Sequence, residues 1–87
     1  GNNATLLDTY AWVLFRLGRL PEARRTMQQA NSFARSENPE LYLHYGDILA
    51  ALGEKFMAET YWRKALEKGY DDPQAIEERI RQLKSKP

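Results

Sequence analysis

The chain contains no cysteine. That absence removes disulfides, zinc–thiolate sites and thiol nucleophiles together, and it leaves the compartment open. Histidine is almost as scarce, with His44 standing alone. A zinc site needs several nitrogen or sulfur ligands, so a lone imidazole predicts a partly exposed helical residue and no metal site. No apolar run is long enough to cross a bilayer, and none reads as a signal peptide. An excess of one charge is also lacking, with 13 basic against 12 acidic side chains and a net charge of +1. Composition therefore points to neither nucleic acid nor an anionic membrane surface. The five glycines are isolated from one another, so no phosphate-cradling loop can be assembled from them. No cofactor is expected. The length of 87 residues allows one domain with a modest core. Gly1 in place of an initiating methionine predicts an excerpt of a longer protein, with any targeting segment outside it.

What the chain does contain is a stretch written twice. "LGRLPEA" at Leu17–Ala23 returns as "LGEKFMA" at Leu52–Ala58, a shift of 35 residues. The same shift takes Leu7 to Tyr42, Tyr10 to Tyr45, Ala11 to Gly46 and Leu14 to Leu49. It goes on to take Ala23 to Ala58, Met27 to Trp62 and Ala30 to Ala65. Small residues fall on small ones and bulky on bulky, the mark of stacked supersecondary units.

Inside each unit the apolar spacing is helical. Leu7, Tyr10, Ala11 and Leu14 make one stripe at i, i+3, i+4, i+7 and predict the core face of a first helix. Gly18, Gly53 and Gly69 mark helix ends, while Pro21, Asn38-Pro39 and Asp72-Pro73 mark starts. Helices are predicted over 4–17, 21–35, 39–52, 55–68 and 73–85, with no strand. The last carries Ile76, Ile80 and Leu83 on one face and Glu77, Glu78, Arg79, Arg81 and Gln82 on the other. A wet outer face suits the end of a repeat stack. Ala11 or Gly46 against Ala23 or Ala58 lets two backbones approach closely within each pair.

This pattern resembles the tetratricopeptide repeat, a helix–turn–helix unit of about 34 residues. Tyr42, Tyr45-Gly46, Leu49, Gly53, Ala58, Trp62 and Ala65 carry the resemblance in the second unit. Leu7, Tyr10-Ala11, Leu14, Gly18, Ala23, Met27 and Ala30 carry it in the first. The first unit departs in having Leu7 where the family prefers tryptophan, and in running one residue long near Phe33–Asn38. The implied fold is all-α: repeats at 4–38 and 39–72, then a capping helix and tail at 73–87, as a right-handed solenoid fragment. The wording "DTYAWVLFRLGR" and "HYGDILAALG" is similar to the closing repeats of longer bacterial proteins, which implies the bacterial cytoplasm or periplasm.

The resemblance implies a non-enzymatic scaffold that holds a peptide or partner helix in a groove. By the family's pattern the groove side is Thr5, Asp8, Trp12, Phe15 and Arg16 on the first helix. It continues with Glu40, Leu43, Asp47 and Ala50 on the third and with Gln74, Glu77, Arg81 and Lys84 on the last. Trp12 and Phe15 are the sharpest candidates, because other residues already supply the core stripe of their helix; the alternative places them under the cap or in an oligomer contact. A carboxylate clamp for chaperone tails is absent. Asp8, Trp12, His44, Gln74 and Glu78 stand where that subset has lysines, asparagines and an arginine.

Other chemistry finds little support. Glu77 and Glu78 are adjacent, so they do not face each other on a helix, and Glu77 is spaced to pair with Arg81. The basic clusters around Arg24–Arg25 and Arg79–Lys86 are diluted by glutamates and lack a base-stacking motif. No nucleic acid is expected as partner. The competing function class is a structural C-terminal cap of a longer solenoid whose binding repeats lie upstream. Finally, Leu6, Val13 and Leu17 form a second apolar stripe on the first helix, which in a longer array would pack on a preceding repeat. In this excerpt it predicts self-association of two copies, most simply as a two-fold dimer, or else a plain exposed end.

Overall fold

A computed structural model describes residues 3–33 and 38–85. They form five helices: α1 Asn3–Arg16, α2 Leu20–Phe33, α3 Pro39–Ala51, α4 Lys55–Glu67 and α5 Pro73–Ser85. Among the described residues there is no strand. The architecture is all-α, and each predicted helix is present within two residues of its expected ends. The extra residue near Phe33–Asn38 falls largely on 34–37, outside the described residues.

The punctuation works as its chemistry dictates. Asn38 Oδ1 accepts the Glu40 N–H at 2.9 Å with Pro39 behind it, and Asp72 Oδ1 accepts the Ala75 N–H at 3.2 Å. Each cap satisfies a helix donor that has no intrahelical partner. At the far ends Gly18 and Gly53 take φ of 80° and 84°. The left-handed residue folds the chain back, so that Arg19 N–H reaches Leu14 O at 2.9 Å and Glu54 N–H reaches Leu49 O at 2.9 Å. The bonds Gly18 to Phe15 and Gly53 to Ala50, both 3.0 Å, show the same shift. The 35-residue repeat seen in side chains is thus also a repeat of backbone geometry.

α1 packs on α2 and α3 on α4, the two pairs meet where α2 lies against α3, and α5 closes onto α4. Ala11, Ala23, Ala30, Ala58 and Ala65 are all fully buried, so the helices approach at positions where little side chain intervenes. Leu14, Met27, Ile48, Leu49, Trp62 and Ile76 fill the remaining space of a single core. The crossing of the second pair differs from that of the first in one respect. A Cβ on Gly46 would fall 2.5 Å from the Trp62 Nε1 and nearer still to its Cδ1. It is therefore the indole of α4, rather than Ala58, that occupies the space a larger residue 46 would need. In the first pair the matching residues are Ala11 and Met27. A slimmer partner there leaves room for the extra methyl.

One expectation is corrected. Tyr10 was placed with the core stripe of α1, yet it is 56% exposed. Its counterpart Tyr45 is buried, because α2 lies over α3 and Gln28 Nε2 donates to the Tyr45 hydroxyl at 3.0 Å. Among the described residues no helix precedes α1 to cover Tyr10 in the same way.

Gly46→Ala should destabilise the domain by about 1–3 kcal/mol, because the indole is held too firmly to yield. Adding Trp62→Met, which copies the Ala11–Met27 pairing, should recover part of that loss. Urea midpoints of the two singles and the double decide the matter, and simple additivity would show that the two side chains do not compete for one space.

Candidate interaction face

Four side chains form a continuous run across α1 and α3. Asp8 and Trp12 are one turn apart on α1, and Phe15 follows within the next turn, so all three share a face. From α3, His44 Nδ1 donates to Asp8 Oδ1 at 2.6 Å. The His44 ring then lies 4.9 Å from the Trp12 ring at 33°, and Trp12 stacks on Phe15 at 4.9 Å and 30°. The carboxylate fixes the imidazole and the imidazole props the indole. Trp12 and Phe15 remain half-buried, with part of each ring open to solvent.

The electrostatics of this run follow from its burial. The Asp8 and His44 side chains are only 18% and 20% exposed. Burial disfavours the charged imidazole, but the Asp8 hydrogen bond and the charges of Asp8, Asp47 and Glu40 outweigh it. The His44 pKa rises above its ordinary value of 6.5. When charged, the ring also presents a cation beside the indole.

Asp47 does different work. Its Oδ1 accepts from Trp62 Nε1 at 3.0 Å and from Arg79 Nε at 2.9 Å, while Oδ2 accepts from Arg79 Nη2 at 3.4 Å. Arg79 Nη1 also donates to Ala75 O at 3.2 Å. One carboxylate therefore ties α3, α4 and α5 together. A shallow cleft of about 240 Å³ opens beside this tie, lined by Ala50, Lys55, Trp62, Arg79, Gln82 and Leu83.

The expected groove residues divide accordingly. Asp8, Trp12 and Phe15 come together, and Asp47 lies one turn along α3 from His44 but is committed to its neighbours. Leu43 is corrected: at 3% exposure it belongs to the core. α3 is flanked by both α2 and α4, and it buries more of its circumference than α1 does. The 35-residue shift therefore carries the place of Asp8 onto a buried position, and His44, one residue further, faces Asp8 instead. Arg16, Glu77 and Arg81 are exposed. Arg81 pairs with Glu78, one residue from the expected Glu77. Lys84 Nζ reaches Glu59 at 3.3 Å, joining α5 to α4. His44 is helical and partly exposed, as its sequence predicts. Its pairing with Asp8 joins residues 36 positions apart, and helical periodicity carries no signal for it.

Leu6, Val13 and Leu17 lie on a separate side of α1, where all three are exposed. Leu6 and Leu7 line an open apolar cleft of about 560 Å³ with Asn3, Gln29, Ser32 and Phe33. Among the described residues no group of three or more acidic, histidine or cysteine side chains is placed to hold a metal ion. No helix among them is long and apolar enough to cross a membrane. No family model, curated protein or solved structure significantly matches the chain.

The Asp8–His44 pair should make stability depend on pH. The folded pKa of His44 lies above its unfolded value, so its stabilisation is complete below about pH 6.5 and is lost as pH rises through the folded value. An NMR titration of the single histidine should give a midpoint above 6.5, and Asp8→Asn should bring it down. A midpoint unchanged by Asp8→Asn would mean that the carboxylate does not hold the ring in solution.

Proposed function

We propose that the chain is a non-enzymatic protein-interaction module of the tetratricopeptide-repeat kind. It holds an extended peptide or a partner helix along the face shared by α1 and α3. The repeat in both side chains and backbone bonds supports the kinship. The binding reading rests on one observation above all: Trp12 and Phe15 are stacked, half-open, and braced from behind by Asp8–His44. Aromatic rings held in place before a partner arrives lose little rotamer freedom on binding, and such residues dominate interface energetics. The neighbouring cleft at Ala50 and Leu83 extends the surface toward α5. A catalytic reading of the Asp–His pair is less well supported, since the imidazole packs against an indole rather than against a hydroxyl nucleophile.

A second reading, an end-piece that terminates a longer stack, is favoured by α5. That helix buries Ile76 and Ile80 and turns Glu77, Glu78, Arg81 and Gln82 to solvent. A helix so built stops a stack and offers no apolar seat for another. The two readings are compatible in one molecule, because the cap lies at the opposite end from Trp12.

A displayed-peptide library selected on the domain tests the first reading. Retained peptides should bind the Trp12→Ala, Phe15→Ala double variant at least about 30-fold more weakly, as loss of a buried aromatic anchor implies. Far-UV circular dichroism should stay unchanged. Peptides that bind both forms equally would move the site away from this face.

A further inference from the structure

The uncovered face of α1 is one instance of a pattern that occurs three times. The 35-residue shift takes Leu6 to Leu41 and Ile76, Tyr10 to Tyr45 and Ile80, and Val13 to Ile48 and Leu83. On α3 and α5 these residues are buried or partly buried, against the preceding helices α2 and α4. On α1 they are open: Leu6 is 68% exposed, Tyr10 56%, Val13 49% and Leu17 66%. The stripe therefore has the pattern of a helix-docking seam, and among the described residues no helix covers it on α1.

We infer that a second copy of this chain occupies the seam, with the two α1 helices antiparallel about a two-fold axis between Tyr10 and Val13. Three features of the stripe carry this. Its spacing, Leu6-Tyr10-Val13-Leu17, runs four, three, four. That order reads the same in both directions, so a two-fold axis sets Leu6 against Leu17 of the other copy and Tyr10 against Val13. Alternating steps of three and four are also the seam of a coiled coil, in which side chains of one helix fit between those of the other.

The second feature is charge. None of the four seam residues is charged, and a net +1 per chain sets up little repulsion between copies. Antiparallel helices also oppose their dipoles favourably.

The third feature is area. Phe33, 56% exposed, shares a cleft with Leu6 and adds to the seam. With whole-residue areas of about 150–250 Å², these five side chains leave roughly 600 Å² open per chain. Two copies that cover all of it would bury about 1,200 Å² together, at the lower edge of specific interfaces. Head-to-tail stacking is opposed by the charged outer face of α5, so the assembly closes at two chains.

The chain's lack of cysteine makes the register directly testable. Sedimentation from about 1 to 200 µM should show a mass rising toward twice the chain's 10.1 kDa. Val13→Glu sets a charge from each copy beside the axis and should weaken the dimer by about 100-fold or more with helicity intact. Phe56→Glu, on the exposed start of α4, should leave it unchanged. Under mild oxidation, Leu6→Cys mixed with Leu17→Cys should cross-link between the two variants. Leu6→Cys alone should not, because its two sulfurs would be about 16 Å apart along the helices. A monomer across the whole range overturns the proposal, as does a Val13→Glu dimer of wild-type strength. Self-linking of Leu6→Cys overturns the antiparallel register. Each result is independent of whether peptides bind at Trp12.

Discussion

The indole of Trp62 lies against bare backbone at Gly46, and much of the second helix pair is arranged around that contact. The ring can sit there only because residue 46 has no side chain, and its Nε1 then lies within reach of Asp47. Asp47, held by the indole, presents its carboxylate to Arg79 and so helps to hold α5, which Ile76, Ile80 and the Lys84–Glu59 pair also fasten. A steric condition at one helix crossing thereby reaches the last helix. In the first pair Ala11 and Met27 meet the same condition with the volumes redistributed. Met27 brings no indole to that crossing, and Trp12, in the place of Asp47, has no carboxylate with which to make an equivalent tie.

Freed from that duty, Trp12 joins a different arrangement. It is braced by His44, which is braced by Asp8, so the link between the two repeats on this side is polar and aromatic rather than purely aliphatic. The consequence is a surface whose largest rings are held still without being buried. Rigidity without burial is what a binding face requires, since the ordering cost has been met before a partner arrives. The link is also partly ionic, so it is the element of this fold most responsive to mild changes of pH.

The two ends of the domain are chemically unlike. α5 covers the core with isoleucines and meets water with charged residues, whereas α1 meets water with leucines, a valine and a tyrosine. Both helices occupy the same register position in the repeat. The stripe is apolar on both, with Leu6, Tyr10 and Val13 on α1 and Ile76, Ile80 and Leu83 on α5. The difference therefore lies in what is set against it: α4 lies against α5, and among the described residues no helix covers that face of α1. A stack closed at α5 and open at α1 has one direction in which it can take on another helix.

Much of this was legible before any coordinates. Helix number and ends follow from prolines, capping side chains and glycines that must take positive φ, because these are local preferences acting within a few residues. The pairing of helices follows from alanines and a glycine at matching places in a 35-residue repeat, because close approach needs small residues wherever it occurs. Tertiary structure alone decided the fates of Tyr10, Leu43 and His44. Tyr10 and Tyr45 share a register, yet only the second has a helix lying over it. Leu43 was drawn into the core because α3 is flanked on two sides, and His44 found Asp8 across 36 positions of chain. Periodicity reports which face of a helix a residue occupies, but burial and pairing depend on what the rest of the chain sets against that face.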